Sequence, residues 1–288
     1  MNQELICILG PTASGKTKYA VKLAFDTGGE IISADSRQVY RLMDIGTGKD
    51  LSEYEVNGVK IPYHLIDIVD PGYKYNIFEY QRDFHNAYRR VLSNGATPIL
   101  CGGSGLYIET ATLGYSLPPV PPNIELRDEL EREETGRLID RLVSYGPIHN
   151  TTDTTSRKRL IRAIEIAEFK KHNNLQITEY EPIKTRYIGI SVSREERIRR
   201  IDRRLKERLE GGMVDEVKQL LEMGLSPQDL IYYGLEYKFV TMYLTGTMSY
   251  NQMQSSLATA IHQFAKRQMT WFRGMERRGI KIEWIETI

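Results

Sequence analysis

The most definite chemistry in this sequence lies in Gly10-Pro11-Thr12-Ala13-Ser14-Gly15-Lys16-Thr17. The spacing of the two glycines and the closing Lys-Thr pair is that of a phosphate loop. Consecutive backbone N–H groups in such a loop form a nest for phosphate oxygens, and the N-terminus of the helix that follows adds favourable potential. Lys16 would neutralise terminal phosphates, and Thr17 would offer its hydroxyl to Mg2+. The motif specifies a polyphosphate and leaves the nucleoside open, so an ATP-binding kinase or hydrolase is the default reading. Two features count against it. No apolar run ends in the acidic pair that usually holds magnesium and orients water, and no segment is a clear base-recognition motif.

Asp35 is the second candidate, in Ser33-Ala34-Asp35-Ser36-Arg37-Gln38. A carboxylate at the end of a strand beside the phosphate loop could hold magnesium-bound water. It could also accept a proton from an attacking nucleophile, or simply cap the next helix. Arg37 and Gln38 are long donors suited to phosphate or base edges. His64 lies on an apolar strand, where a satisfied core histidine is the plainer reading, and His85 falls within a helix.

The elements that must position these residues alternate. Leu5 to Leu9 is a short apolar strand, with a helix starting near Lys16. Glu30 to Ala34 is a second strand. Asn76 and Glu79 have capping-box spacing, which predicts a helix running to Ser93. Thr97 to Cys101 is the next strand and leads into Gly-Gly-Ser-Gly at 102–105. This alternation predicts an α/β, P-loop NTPase-like three-layer fold with a mostly parallel sheet. Prolines 118, 119, 121 and 122 then open a different stretch: a charged helical segment from Ile124 to Tyr145 and a polar, turn-like segment from Gly146 to Thr155. Residues 118–155 therefore read as a small inserted helical lobe, with 1–117 and 156–288 forming the core and a helical C-terminal region. Lys158 to Lys171 is a helix, Arg186 to Val192 a strand, and Ser193, Ser226 and Ser249 each start a helix.

Composition sets the frame. The chain has 288 residues, formal net charge +1 and two cysteines, Cys7 and Cys101, each in an apolar run. That suits buried free thiols in a reducing compartment and excludes a disulfide framework or a cysteine zinc site. No run approaches the roughly 18 apolar residues of a membrane span, and no signal-type segment opens the sequence, so a cytoplasmic protein without membrane contact is expected. Charge is locally uneven. Arg157, Lys158, Arg159 and Arg162 share one helical stretch, and a second basic run covers Arg194 to Arg208 with acids mixed into it. Such faces can steer RNA even near zero total charge, although the second run also fits a solvated, salt-bridged helix. Lys266, Arg267 and Arg273 beside Trp271 and Phe272 fit either an amphipathic packing helix or a basic wall.

Taken in order, several segments resemble the tRNA dimethylallyltransferases, also called tRNA isopentenyltransferases, over essentially the whole length. They are GPTASGKT at 10–17, SADSRQVYRLMDIGTGK at 33–49, YHLIDIVDP at 63–71, GGSGLY at 102–107, RLIRAIEI at 159–166 and FAKRQMTWFR at 264–273. The resemblance implies transfer of a dimethylallyl group from dimethylallyl diphosphate to N6 of adenosine 37 beside the anticodon, with magnesium. It implies Asp35 as general base, with Lys16 and Ser104 also catalytic and Gly10 to Thr17 on the donor diphosphate. It implies contacts to the tRNA anticodon stem-loop from Asp35, Ser36, Arg37, Gln38, Ser104, Arg127, Lys158, Arg159, Leu160, Ile161 and Arg162, and a monomer. Ser104 stands where the family usually has Thr. Thr155-Ser156 replaces a usual Asn-Asp, the 146–154 segment is short, and a later Gly-Tyr-Lys-Glu pattern reads Glu236-Tyr237-Lys238-Phe239. Two rival classes are a small-molecule or nucleoside kinase, marked by ATP-dependent phosphorylation, and a tRNA-binding protein with no diphosphate-dependent product.

Overall fold

The structure is a computed structural model that describes residues 4–147, 154, 156–173 and 177–286. The chain divides into two compact units, residues 1–114 with 181–288, and residues 115–180.

The first unit opens with β1 (Leu5–Leu9), α1 (Lys16–Thr27) and β2 (Gly29–Ser33). A small hairpin, β3 (Glu55–Val56) and β4 (Val59–Lys60), precedes β5 (Tyr63–His64), α2 (Ile77–Ser93), β6 (Thr97–Gly102) and α3 (Gly105–Thr112). Asn76 and Glu79 form the expected capping box. Six strands make one sheet in the order β5-β2-β6-β1, then β7 (Thr185–Ser191) and β8 (Ile282–Glu286), and every pairing in it is parallel. Alternate residues leave each strand on opposite faces. Ile8, Ile31 and Ile99 pack with Ala20, Val21 and Ala24 of α1 on one side. Cys7, Leu9, Ile32 and Leu100 pack on the other with Phe84, Ile108 and Phe272. These are the three layers predicted from the alternation, and both cysteines are buried and free. His64 is satisfied by Glu30, Nε2 to Oε2 2.6 Å. Burial, aided by the Arg89 charge, pushes the His85 imidazole down to about 4.

The second unit carries α4 (Ile124–Glu131), α5 (Thr135–Ser144) and α6 (Arg157–His172). It differs from the expected 118–155 lobe because α6 belongs to it: Leu160, Ile161 and Ile164 share an apolar cluster with Leu126, Leu130 and Leu138. The charged helical segment expected from Ile124 to Tyr145 is helical as two pieces, α4 and α5, with a break at 132–134. Arg157 explains the break. Its Nη2 donates to the carbonyls of Leu130 (2.8 Å), Glu131 (2.7 Å) and Glu133 (2.6 Å), closing the C-terminus of α4. The turn-like segment expected at 146–155 falls, at 148–153 and 155, outside the described residues.

Back in the first unit, the chain continues through α7 (Arg194–Glu210), α8 (Met213–Glu222), α9 (Pro227–Tyr232), α10 (Leu235–Leu244) and α11 (Tyr250–Arg277) before β8. The side chains of Ser193, Ser226 and Ser249 cap helices as their spacing predicts. No helix among the described residues is long and apolar enough to cross a membrane.

Glu165 holds the second unit together electrostatically. Its side chain is 1% exposed and accepts from Arg127 at 2.9 and 2.8 Å, from Arg162, and from the Asn123 N–H at 2.6 Å. Burial alone would raise its pKa, but these donors outweigh it and hold the carboxyl below its usual range. A depressed folded-state pKa means stability present above the unfolded value and lost as pH falls through the folded one. Glu165→Ala should destabilise the second unit by about 2 kcal/mol. Hydrogen exchange should show faster opening in α4 and α6, with protection of β1 and β6 unchanged, and the gap from wild type should narrow at acid pH.

Candidate active site

Parallel pairing brings three strand ends to one edge. β6 lies between β1 and β2, with Leu9 opposite Gly102 and Ser33 opposite Cys101. The residues that follow, Gly10, Ser104 and Asp35, must therefore emerge side by side.

The phosphate loop is shaped by local backbone demands. Ala13 (φ 61°) and Gly15 (φ 87°) are left-handed, the alternation that points successive N–H groups inward. A Cβ on Gly10 would lie 2.5 Å from the Ile190 carbonyl oxygen, so only glycine fits where β1 and β7 meet. Lys16 opens α1 and its Nζ reaches the Pro11 carbonyl at 3.4 Å. Burial and the Arg204 charge lower its pKa, with Asp35 among the groups opposing them.

No helix follows Asp35, so the capping reading does not apply. Its Oδ1 instead accepts from the Arg37 N–H at 2.8 Å, a turn that fixes the carboxylate at the sheet edge. Gln38 is held on both sides: Ser33 Oγ meets its Oε1 at 3.0 Å and its Nε2 donates to the Gly48 carbonyl at 3.1 Å. The Arg37 guanidinium sits 5.1 Å over the Tyr232 ring. Ser104 stands before α3 without capping it.

Thr12, Lys16, Thr17, Asp35, Ser36, Arg37, Gln38 and Ser104 all line one cavity of about 310 Å³. Tyr54, Tyr233, Leu235, Tyr237, Ile261 and Phe264 give it apolar and aromatic walls. The sheet-edge candidates thus converge. Those of the second unit do not form a comparable cluster of free cations. Arg127 and Arg162 are pinned by Glu165, and Arg157 caps α4. Leu160 and Ile161 point into the apolar cluster (0% and 4% exposed), so side-chain contact with RNA is not their role. Lys158 and Arg159 are exposed.

Other cavity residues lie far away in sequence. Gln268 of α11 accepts from Thr12 N–H at 2.8 Å and donates to the Gly103 carbonyl at 2.9 Å, tying the phosphate loop to the β6 turn. Gly103 must lack a side chain to let it in. Beside Gln268, Arg267 also reaches the cavity, and Trp271 packs on Gly105 while donating to Glu109 at 2.9 Å. α7 resolves the ambiguous basic run. Arg199 and Arg200 pair with Glu196 within the helix, whereas Arg204 and Arg208, one turn apart, enter the cavity. Arg204 is ion-paired with Asp50. The loop between them and Gln38 is fastened by Glu216, which accepts from the N–H groups of Asp44 (2.8 Å), Ile45 (2.7 Å) and Gly46 (3.0 Å) and from Tyr237 (2.6 Å). In the sequence, the i, i+4 spacing of Arg200, Arg204 and Arg208 and the FAKRQMTWFR segment that holds Arg267, Gln268 and Trp271 point toward these contacts, whereas nothing marks Glu216.

Comparison with known proteins agrees with this geometry. A family model described as IPP transferase matches residues 38–275. The chain is 59% identical over 284 residues to tRNA dimethylallyltransferase 1 of Porphyromonas gingivalis, covering 99% of this chain and 94% of that protein. It is 51% identical to tRNA dimethylallyltransferase 1 of Syntrophus aciditrophicus, covering 99% and 94%. The solved full-length tRNA isopentenylpyrophosphate transferase of Bacillus halodurans superposes with a TM-score of 0.70 at 32% identity, over 99% of this chain and 90% of that one. With the phosphate loop, Asp35 and Ser104 converging on one cavity, and relatives matched over nearly its whole length, this chain belongs to the IPP transferase family.

Proposed function

We propose that this protein transfers a dimethylallyl group from dimethylallyl diphosphate to N6 of adenosine 37 in tRNA, releasing diphosphate. The observation that carries this reading is the convergence of Lys16 and Asp35 on one cavity with an apolar and aromatic wall. A cradle for diphosphate, a carboxylate and a pocket for a branched hydrocarbon are the three things the reaction needs.

The adenine amine is a weak nucleophile because its lone pair is delocalised into the ring. Holding it against the allylic carbon supplies much of the rate. As the N6–C1 bond forms, the C1–O bond breaks and its electron pair leaves with the diphosphate. Lys16 and the loop N–H groups meet the developing charge. Asp35 takes the N6 proton as nitrogen gains positive character, its Oδ1 already oriented by Arg37 N–H. The target base must leave the anticodon-loop stack to reach the cavity.

Magnesium belongs to the same proposal. No cluster of three or more His, Cys, Asp or Glu among the described residues forms a protein cage for a metal. Thr17, with Asp35 nearby, suits an ion that takes most ligands from substrate phosphate and water. Bound there, it would offset the charge of the leaving diphosphate. A monomeric, cytoplasmic enzyme is part of the reading, and contact with the anticodon stem-loop is assigned chiefly to the sheet-edge residues and to Lys158 and Arg159.

Lys16→Ala should reduce turnover about 10²-fold or more and weaken donor binding. Purified protein, unmodified tRNA, magnesium and the donor should give dimethylallyladenosine by nucleoside mass analysis without ATP. Turnover that needed ATP and ignored the prenyl donor would reject the assignment.

Asp35→Asn should lower single-turnover transfer by about 10²- to 10⁴-fold at saturating substrates, with donor and tRNA affinities little changed. Rescue by high magnesium would instead mark Asp35 as a metal ligand. Replacing Lys158 and Arg159 together with Ala should weaken tRNA binding and flatten its dependence on log salt by roughly one to two units, leaving donor affinity intact. A tRNA affinity equal to wild type at several salt concentrations would remove these two residues from the RNA contact.

A further inference from the structure

The Arg208 guanidinium, at this cavity, has one buried nitrogen, Nη2, without a hydrogen-bond acceptor among the described residues. Its neighbour Asp50 is 3.7 Å away and already engaged by Arg204. A desolvated guanidinium N–H without an acceptor is costly, and buried polar groups nearly always find one.

The surrounding backbone is built to keep it there. Gly48 is left-handed (φ 62°), and a Cβ on it would collide with the Arg208 guanidinium. That backbone is anchored by Gln38 through the Gly48 carbonyl. Burial, with the Arg204 charge beside it, lowers the Arg208 pKa. An incoming anion would relieve both. Arg208 shares with Lys16 and Thr17 the 310 Å³ cavity and also a second, more open depression of about 660 Å³.

We propose that Arg208 is an anion-binding residue of this site, its Nη2 donating to an oxygen of the diphosphate held by the phosphate loop. The proposal rests on the transferase reading for the identity of the anion. An RNA backbone phosphate offers the same oxyanion chemistry. The diphosphate is favoured because Arg208 faces both cavities that Lys16 and Thr17 line. During transfer the electron pair of the breaking C–O bond passes to that diphosphate, and a donor already in place strengthens its hold as the charge grows. Glu236 lines the same cavity, and burial pushes its carboxyl pKa up, with the Arg208 and Arg204 charges only partly opposing, so it is held toward its neutral form.

The test uses the full chain with Arg208→Met, close in length but uncharged, and Arg208→Lys, charged but without the fork. Inorganic diphosphate with magnesium is titrated calorimetrically, tRNA binding is measured separately, and thermal unfolding checks each fold. Diphosphate affinity should fall at least tenfold for Met and at least threefold for Lys. tRNA affinity should stay within twofold, and KM for the prenyl donor should rise by more than kcat falls. Should the Met variant not fold, the Lys variant decides. A folded variant with diphosphate affinity within twofold of wild type overturns the proposal. So does loss of tRNA affinity with diphosphate binding intact, which would assign Arg208 to an RNA phosphate. Inorganic diphosphate needs no prenyl transfer. Arg208-dependent binding without any transferase product would therefore remove the transferase reading and leave this one standing. Transfer with unaltered diphosphate affinity would do the reverse.

Discussion

Everything at the site depends on the parallel register of three strands. Because β6 separates β1 from β2 and all run the same way, their C-terminal ends share one edge. A one-residue slip would turn Ile8, Ile31 and Ile99 to the opposite face and exchange the two halves of the core. The apolar alternation that buries the sheet thus also sets where the phosphate loop, the Asp35 carboxylate and the Gly102–Ser104 turn appear. Stability and catalytic geometry share one determinant, which leaves little freedom to alter either separately.

Much of this was legible in the residues because it is local. The phosphate loop, the three serine caps and the Asn76–Glu79 box are encoded within a few positions, and each forms as its spacing predicts. The alternation of short apolar strands with helices foretold the layers. Other features were beyond reach for a physical reason. Gln268 acts on Thr12 across 256 residues, and although its segment, FAKRQMTWFR, stands out by resemblance, nothing local says which backbone its amide will engage. Arg204 and Arg208 look like their neighbours Arg199 and Arg203 until packing decides which face turns inward. The break at 132–134 has no proline or left-handed glycine to announce it, since Arg157, over twenty residues later, supplies the cap.

The second unit shows how a basic stretch can mislead. Four cations fall within six positions of α6, yet Arg157 and Arg162 serve the unit's own architecture. Their partners are a helix terminus and a buried glutamate, both of which need a rigid fork of donors. Lysine would serve poorly at either place. The two positions left exposed include Lys158, where a point charge suffices. Residue type within a charged cluster therefore carries information that net charge does not.

The bond between Gln268 and Thr12 has a consequence for the order of assembly. A ribosome makes the phosphate loop early, but the side chain that engages its Thr12 amide emerges 256 residues later, on the order of 10 to 50 seconds at ordinary elongation rates. Contacts of such long sequence separation close late, since loop entropy must be overcome first. A nascent chain thus exposes a polyphosphate motif well before it owns a finished polyphosphate site. Completion of the loop around the Thr12 amide is therefore tied to completion of α11.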